Sequence, residues 1–194
     1  MNDVGGGRFF DLTVDAYVTG RWYMAEPTTL DGKEIEDVWA FSYGEPVAPP
    51  GPLRIPLSRP GLPLDFTTSG VGMKPILSAR AANVFREMAP HDVQLFPVEV
   101  EGRAEPYFLL VVARTVRCID DEACEEARRY TAEDGRAEQV GRYQAVSGLR
   151  IDKSKVGDAQ VFRLWGWSPA LIVSGEVKAA LEQAGIVGGY FKEV

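Results

Sequence analysis

Apolar residues recur along this chain with two periods, and the points where the period changes mark the elements. Over residues 161–194 the pattern reads as two short apolar strands, a helix and a closing strand. Val177, Ala180, Leu181 and Ala184 fall at i, i+3, i+4 and i+7, the single stripe of an amphipathic helix. Ser174 stands at the N-cap, where a hydroxyl accepts from an orphan backbone N–H, and Glu176 puts negative charge in the first turn. Gly185 supplies the left-handed stop. Residues 170–173 precede this helix as a strand, and Tyr190, Phe191 and Val194 follow as a strand that docks. The same succession occurs earlier: residues 75–77, a cap at Ser78, a stripe of Ala81, Val84, Phe85 and Met88, Pro90 as a breaker, then an apolar strand over Val93–Val100. An offset of 96 places Ser78 on Ser174 and brings the two stripes into register. So common a pattern recurs by coincidence more readily than by duplication; if the match is real, it places two matching helices on one continuous sheet.

Elsewhere, residues 9–12 and 17–24 read as strands, 31–37 as a loop opened by Asp31-Gly32, and 38–41 as another strand. Residues 46–63 hold seven of the thirteen prolines, which cannot donate to a sheet ladder. An extended surface crossing with edge-strand pieces over 53–57 is expected there, with a proline-rich docking ligand as the functional alternative. Residues 93–100 and 106–118 read as neighbouring strands joined through Glu101-Gly102. Residues 120–130 fit a short helix or a loop, Glu133-Asp134-Gly135 a turn, and 142–151 a strand broken at Gly148. The expected fold is α+β, with a mixed, largely antiparallel sheet and two or three short helices. One domain over 1–194 is the default at this length, with 1–7 flexible and 46–63 as the one candidate seam.

Composition narrows the function classes. The 28 acidic and 21 basic residues give a formal charge of −7, which argues against nucleic acid as a direct partner. A modest acidic excess is what many soluble bacterial proteins carry; its sharper meaning is complementarity to a basic protein, since opposite fields speed encounter. The longest apolar run, 107–113, is too short to cross a bilayer, and the first residues lack the basic-then-apolar pattern of a secretory signal, so a cytoplasmic address is expected. Cys118 and Cys124, six apart with no histidine nearby, suit free thiols in a reducing compartment better than a zinc site.

Parts for catalysis are few. The one histidine, His91, sits between Pro90 and Asp92 past a helix end, and any serine or cysteine scheme needing histidine must pass through it. Gly5-Gly6-Gly7 opens onto a strand pattern and is no phosphate cradle. Asp120, Asp121, Glu122, Glu125 and Glu126 form an acidic cluster that reads as a solvated face, as a partner-binding patch, or as a carboxylate site for Mg²⁺. Glu122 and Glu126 are one turn apart if that stretch is helical. Trp165-Gly166-Trp167 puts two indoles on one side if extended, either as core or as an exposed anchor, with Gly166 letting another backbone approach. No cofactor or metal ligand set is assigned.

Several stretches together resemble one bacterial family: RFFDL at 8–12, DVQLFPV at 92–98, RCIDDEA at 117–123, SGLRID at 147–152, VGDAQVFRLWGW at 156–167 and ALIVS at 170–174. The Cys-Ile-Asp and Phe-Arg-x-Trp-Gly-Trp stretches are the most specific. The family is that of immunity proteins of polymorphic toxin systems, once a domain of unknown function. The resemblance implies an α+β protein, encoded beside a toxin, that binds the toxin and blocks it, and such toxins are often nucleases. It implies no catalytic residues. Expected anchors for the toxin are Asp120, Asp121, Glu122, Glu125, Trp165 and Trp167. The alternatives are a small carboxylate-dependent, metal-assisted hydrolase and a self-associating module.

Overall fold

Alternation of side chains across the strands decides the layers of this protein. The computed structural model describes residues 7–194, so the flexible segment expected over 1–7 lies outside the described residues except for Gly7. The chain opens with β1 (Phe9–Val14), then the two-residue strands β2 (Tyr23–Met24) and β3 (Thr28–Thr29). The proline-rich stretch contributes β4 (Leu53–Ile55) and β5 (Leu57–Arg59). Next come β6 (Phe66–Ser69), β7 (Lys74–Ser78), helix α1 (Ala79–Met88), β8 (Val93–Val100) and β9 (Tyr107–Val112). The second half holds β10 (Thr115–Val116), β11 (Glu126–Arg129), β12 (Tyr143–Ser147) and β13 (Val161–Leu164). It closes with β14 (Trp167–Ser174), helix α2 (Gly175–Gln183) and β15 (Gly189–Glu193).

Successive residues of a strand point to opposite faces, and here each face has its own core. In β9, Leu110 and Val112 face the layer that holds both helices, while Leu109 and Val111 face the inside of a curled sheet. In β14, Leu171 and Val173 share the helix layer, while Ala170 and Ile172 join Phe9 and Phe162 in a third cluster. Each fully buried Leu, Ile or Phe contributes roughly 1.5–3 kcal/mol. The curled sheet has the order β3-β4-β8-β9-β7-β6-β2-β5. Only Pro56 separates β4 from β5, yet they lie near opposite ends of that order, so the sheet bends round until its ends meet. Pro56, which has no N–H to offer, turns its carbonyl to the Ala25 amide at 2.9 Å.

The second sheet has the order β10-β13-β14-β1-β15 and repeats part of the first. The run β2-β6-β7-β9-β8 matches it strand for strand, with a parallel first pair and antiparallel pairs thereafter. Registers agree too. Ser78 opposes Tyr107 and Val93 opposes Val112, as Ser174 opposes Phe9 and Gly189 opposes Val14. The Ser78 hydroxyl accepts from the Ala81 amide and donates to Asp65, and the Ser174 hydroxyl accepts from the Val177 amide and donates to Gln160. The offset of 96 therefore marks a duplicated fold. Each repeat lends its first strand to the other: β9 lies between β7 and β8, and β1 lies between β14 and β15.

Several expectations are corrected. The matching helices do not share one continuous sheet. They pack against each other in a layer between two sheets, because both stripes (Ala81 and Phe85, Val177 and Leu181) feed one core. Residues 38–41 are not a strand: residues Ala40–Ser42 form a 3-10 turn that drives Phe41 into the barrel core. Of 17–24 only Tyr23–Met24 is strand, and Tyr17 stands in solvent. The strand expected over 106–118 breaks at Ala113 and Arg114, where the chain leaves one sheet for the other. Residues 53–57 are not confined to an edge, since β4 lies between β3 and β8. Among the described residues no helix is long and apolar enough to cross a membrane.

Candidate functional site

The acidic stretch does not form a helix. Turns over 121–124 lead into β11, which pairs with β12 as a separate two-stranded hairpin, so Glu122 and Glu126 are not one helical turn apart. Its carboxylates are dispersed. Asp121 is held by Arg129, at 3.0 Å from Nε and 2.8 Å from Nη2, and accepts from the Tyr143 hydroxyl. Partial burial opposes its ionised form, but the bonds from Tyr143 and Arg129 outweigh it and hold the carboxyl below the ordinary range. Burial, then the Asp121 hydrogen bond, pushes the Tyr143 phenol up. Asp120 turns the other way, caps the Ala123 amide at 3.2 Å and lines an open groove with Arg150, Lys153 and Glu193. Glu122 is exposed, and Glu125 lies across Gly148, whose φ of +53° leaves no room for a Cβ beneath it.

The tryptophans separate as well. Trp165 and Gly166 are the two-residue turn between β13 and β14, so the triplet is not extended and the indoles do not share a side. Trp167 packs on the third cluster, and the Arg117 guanidinium lies 4.2 Å over the Trp165 ring, a stack worth roughly 0.5–2 kcal/mol. The expected close approach at Gly166 is present: a Cβ there would come within 3.3 Å of the Arg142 Cα, and the Tyr143 amide donates to the Gly166 carbonyl at 3.0 Å. Arg163, two residues before Trp165, is buried and gives Nη1 to the carbonyls of Ser168 and Pro169 at 3.2 Å each. Burial pulls its guanidinium down to about 10. It organises a bulge and faces no cleft.

For chemistry the molecule offers open ground. His91 stands exposed in a turn. A small, partly open pocket of about 20 Å³ is lined by Leu12, Phe66, Leu181, Ile186, Gly189 and Phe191, with Glu182 the one ionisable lining residue. Among the described residues no three His, Cys, Asp or Glu side chains are placed to hold a metal ion.

A surface that the sequence patterns did not single out lies on the first repeat. The turn between β6 and β7 runs through Gly70, Val71, Gly72 and Met73, and is the counterpart of the Trp165-Gly166 turn. Gly72 and Gly166 even share a φ of +76°. Trp39 lies against Gly72, where a Cβ would come within 3.2 Å of the indole, and Ser42 donates to the Gly72 carbonyl at 3.4 Å. Trp39, Tyr43, Val71 and Met73 are all about half exposed, at 46, 52, 51 and 52%. Periodicity could not find them, because an outward residue in irregular chain has no period, and the strand expected over 38–41 had absorbed Trp39.

A sequence model of the immunity protein family Imm11 matches residues 30–194. No curated protein matches the chain.

Proposed function

The chain belongs to the Imm11 immunity protein family, and from that premise we propose that it neutralises one toxin, encoded beside it, by covering the toxin's active or substrate-binding surface. The family match over residues 30–194 carries this reading. Two features support it. An inhibitor that acts by contact needs a rigid surface ready before its partner arrives, because ordering on binding subtracts from affinity. The two interlocked sheets supply that rigidity. The charge of −7 suits a basic target, and a nuclease must be basic where it grips phosphate. This chain and the substrate then compete for the toxin's one positive field. Two surfaces are candidates for the contact: the approach to β11 with Asp120, Glu122 and Glu125, and the turn beside Trp39.

Expression of the toxic domain from the adjacent reading frame arrests growth, and co-expression of this chain restores it. The purified pair forms a complex, and degradation of RNA or DNA by the toxic domain stops when the chain is added. Arrest that persists with the chain present at equal amount, and no complex by gel filtration, would overturn the proposal.

A further inference from the structure

The duplication exposes a difference between the repeats that points to where a partner sits. Both carry an apolar turn at the same place, between β6 and β7 in one and between β13 and β14 in the other. In the second repeat the turn is closed over: Tyr143 and Arg142 pack on Gly166, and Arg117 lies across Trp165. In the first repeat the cover stops at Trp39, and Val71 and Met73 are left half exposed on either side of Gly72.

That bare turn is also held in an unfavourable shape. Met73 has a φ of +49° and is the one non-glycine residue with positive φ among the described residues; Gly70 and Gly72 before it lie in the same region. For a non-glycine residue such a conformation is disfavoured and persists only where the surroundings enforce it. Here it is enforced from beneath. The Lys74 ammonium, fully buried, donates to the Val71 carbonyl at 2.5 Å and pairs with Glu26, whose other oxygen takes the Val71 amide at 2.7 Å. Trp39 is fixed in turn, its amide on the Asp37 carboxylate, Phe41 in the barrel core, and the Gly44 carbonyl accepting from Thr115 at 2.7 Å. On both sides of Trp39 and Tyr43 in sequence the chain is acidic. Glu34, Glu36 and Glu45 are exposed and make no ion pair among the described residues, and Lys33, the one base between 31 and 45, is paired with Asp31.

We infer that the Trp39–Met73 surface is the docking face for the toxin, and that it takes a protein surface with an apolar centre ringed by lysine and arginine. This rests on the immunity reading above. An apolar centre supplies most of the affinity at an interface, while rim charges set encounter rate and salt dependence.

The test uses the full-length chain and the toxic domain from the adjacent reading frame, with affinity read by calorimetry and protection by growth. Trp39→Ser with Met73→Ser weakens binding by about 100-fold, in the range of hot-spot losses. Because that pair could disturb folding, Glu34→Lys with Glu36→Lys and Glu45→Lys is measured alongside; these exposed residues keep the thermal midpoint, and binding weakens by about tenfold or more with a shallower salt dependence. Asp120→Lys with Glu122→Lys and Glu125→Lys tests the rival surface, and a loss of affinity there as large as that of the Trp39 set would overturn the inference. If the wild type binds and protects but the Trp39 and Glu34 sets bind as well as it does, the docking face is wrong and the immunity reading stands. If the wild type neither binds nor protects, both fall. If the Trp39 set abolishes only self-association in sedimentation, the occupant is a second copy and the inference is overturned.

Discussion

Asp92 is the residue whose loss tests the architecture most directly. It lies at the start of the strand that follows α1, buried to 3%, and reaches across to the other repeat. One carboxylate oxygen accepts from the backbone amides of Gln160 and Val161 at 2.7 and 3.1 Å, and the other accepts from Arg114 at 3.0 Å. Those amides belong to the entry of β13, so one side chain ties the two sheets together. Asp92→Ala leaves two amides without an acceptor, each costing about 1–3 kcal/mol when buried, so the loss should be about 2–5 kcal/mol. Arg114 adds little to that sum, because it is partly exposed and keeps Asp158. Asp92→Asn retains one acceptor and should lose about 1–3 kcal/mol. At this chain length the alanine variant's thermal midpoint then falls by roughly 5–20 °C. Urea unfolding followed by far-UV circular dichroism and by tryptophan fluorescence gives both numbers. The exposed Asp158→Ala, which removes only the outer partner of Arg114, should leave the midpoint in place. A loss below about 1 kcal/mol for Asp92→Ala, with unchanged denaturant dependence, would refute the idea that this carboxylate joins the repeats.

Other outcomes are expected on similar grounds. Unfolding of the wild type should be one transition by both probes, since the helix-layer core draws residues from both repeats; two resolved transitions would divide the chain into two domains. Glu26→Ala strands the buried Lys74 charge and should lose about 3–5 kcal/mol, read in the same urea titration. Burial pushes the Cys118 thiol up to about 12, so at pH 8 a thiol reagent should label only half-exposed Cys124 in native protein and both residues in urea. Burial opposes ionised Asp65, but bonds from Ser78, the Val187 amide and Arg80 outweigh it and set the carboxyl below its ordinary value of 3.8. Its contribution is complete above that value and fades as pH falls through the lower folded one, so Asp65→Asn should flatten the acid limb of stability against pH.

Much of the fold could be read because it is periodic. Both helices, their serine caps and the strand over Val93–Val100 follow local rules, and the 96-residue offset appeared because stripe and cap lie close together in sequence. What escaped was non-local. Nothing in the sequence near β7 says that β9 will pair with it, or that β1 will travel to β14. The exchange of those strands turned one expected sheet into two. Residues 38–41 misled for another reason: Trp39, Ala40 and Phe41 are apolar as in a strand, but the Asp37 side chain and carbonyl capture the amides of Trp39 and Ala40 and close a turn instead. The acidic stretch looked like one patch because its members adjoin in sequence. A turn at 121–124 sends Asp120 and Asp121 to opposite sides, so adjacency gave no shared face. The Phe-Arg-x-Trp-Gly-Trp stretch was distinctive because Arg163 closes a bulge and Gly166 accepts a close backbone, both demands of folding.

The duplication also explains where recognition can reside. The exchanged strands β1 and β9 are each constrained by a register set by the other repeat. The chain is freer between β2 and β6 and between β10 and β13, the equivalent places where the repeats differ. The first interval holds β3–β5 and the Trp39 segment; the second holds the acidic turns and the β11–β12 hairpin. In the second repeat that added chain folds back over its own Trp165 turn and satisfies it. In the first, the added chain extends the curled sheet instead, placing β4 and β5 near its two ends, and although Glu26, Trp39 and Ser42 reach the equivalent turn, they leave Val71 and Met73 half exposed. One insertion completes the core, and so its repeat keeps an apolar turn uncovered. On the docking reading proposed above, a protein that acts by being bound needs one such unfinished surface on a frame that does not yield, and the difference between the repeats would place it at Gly70–Met73.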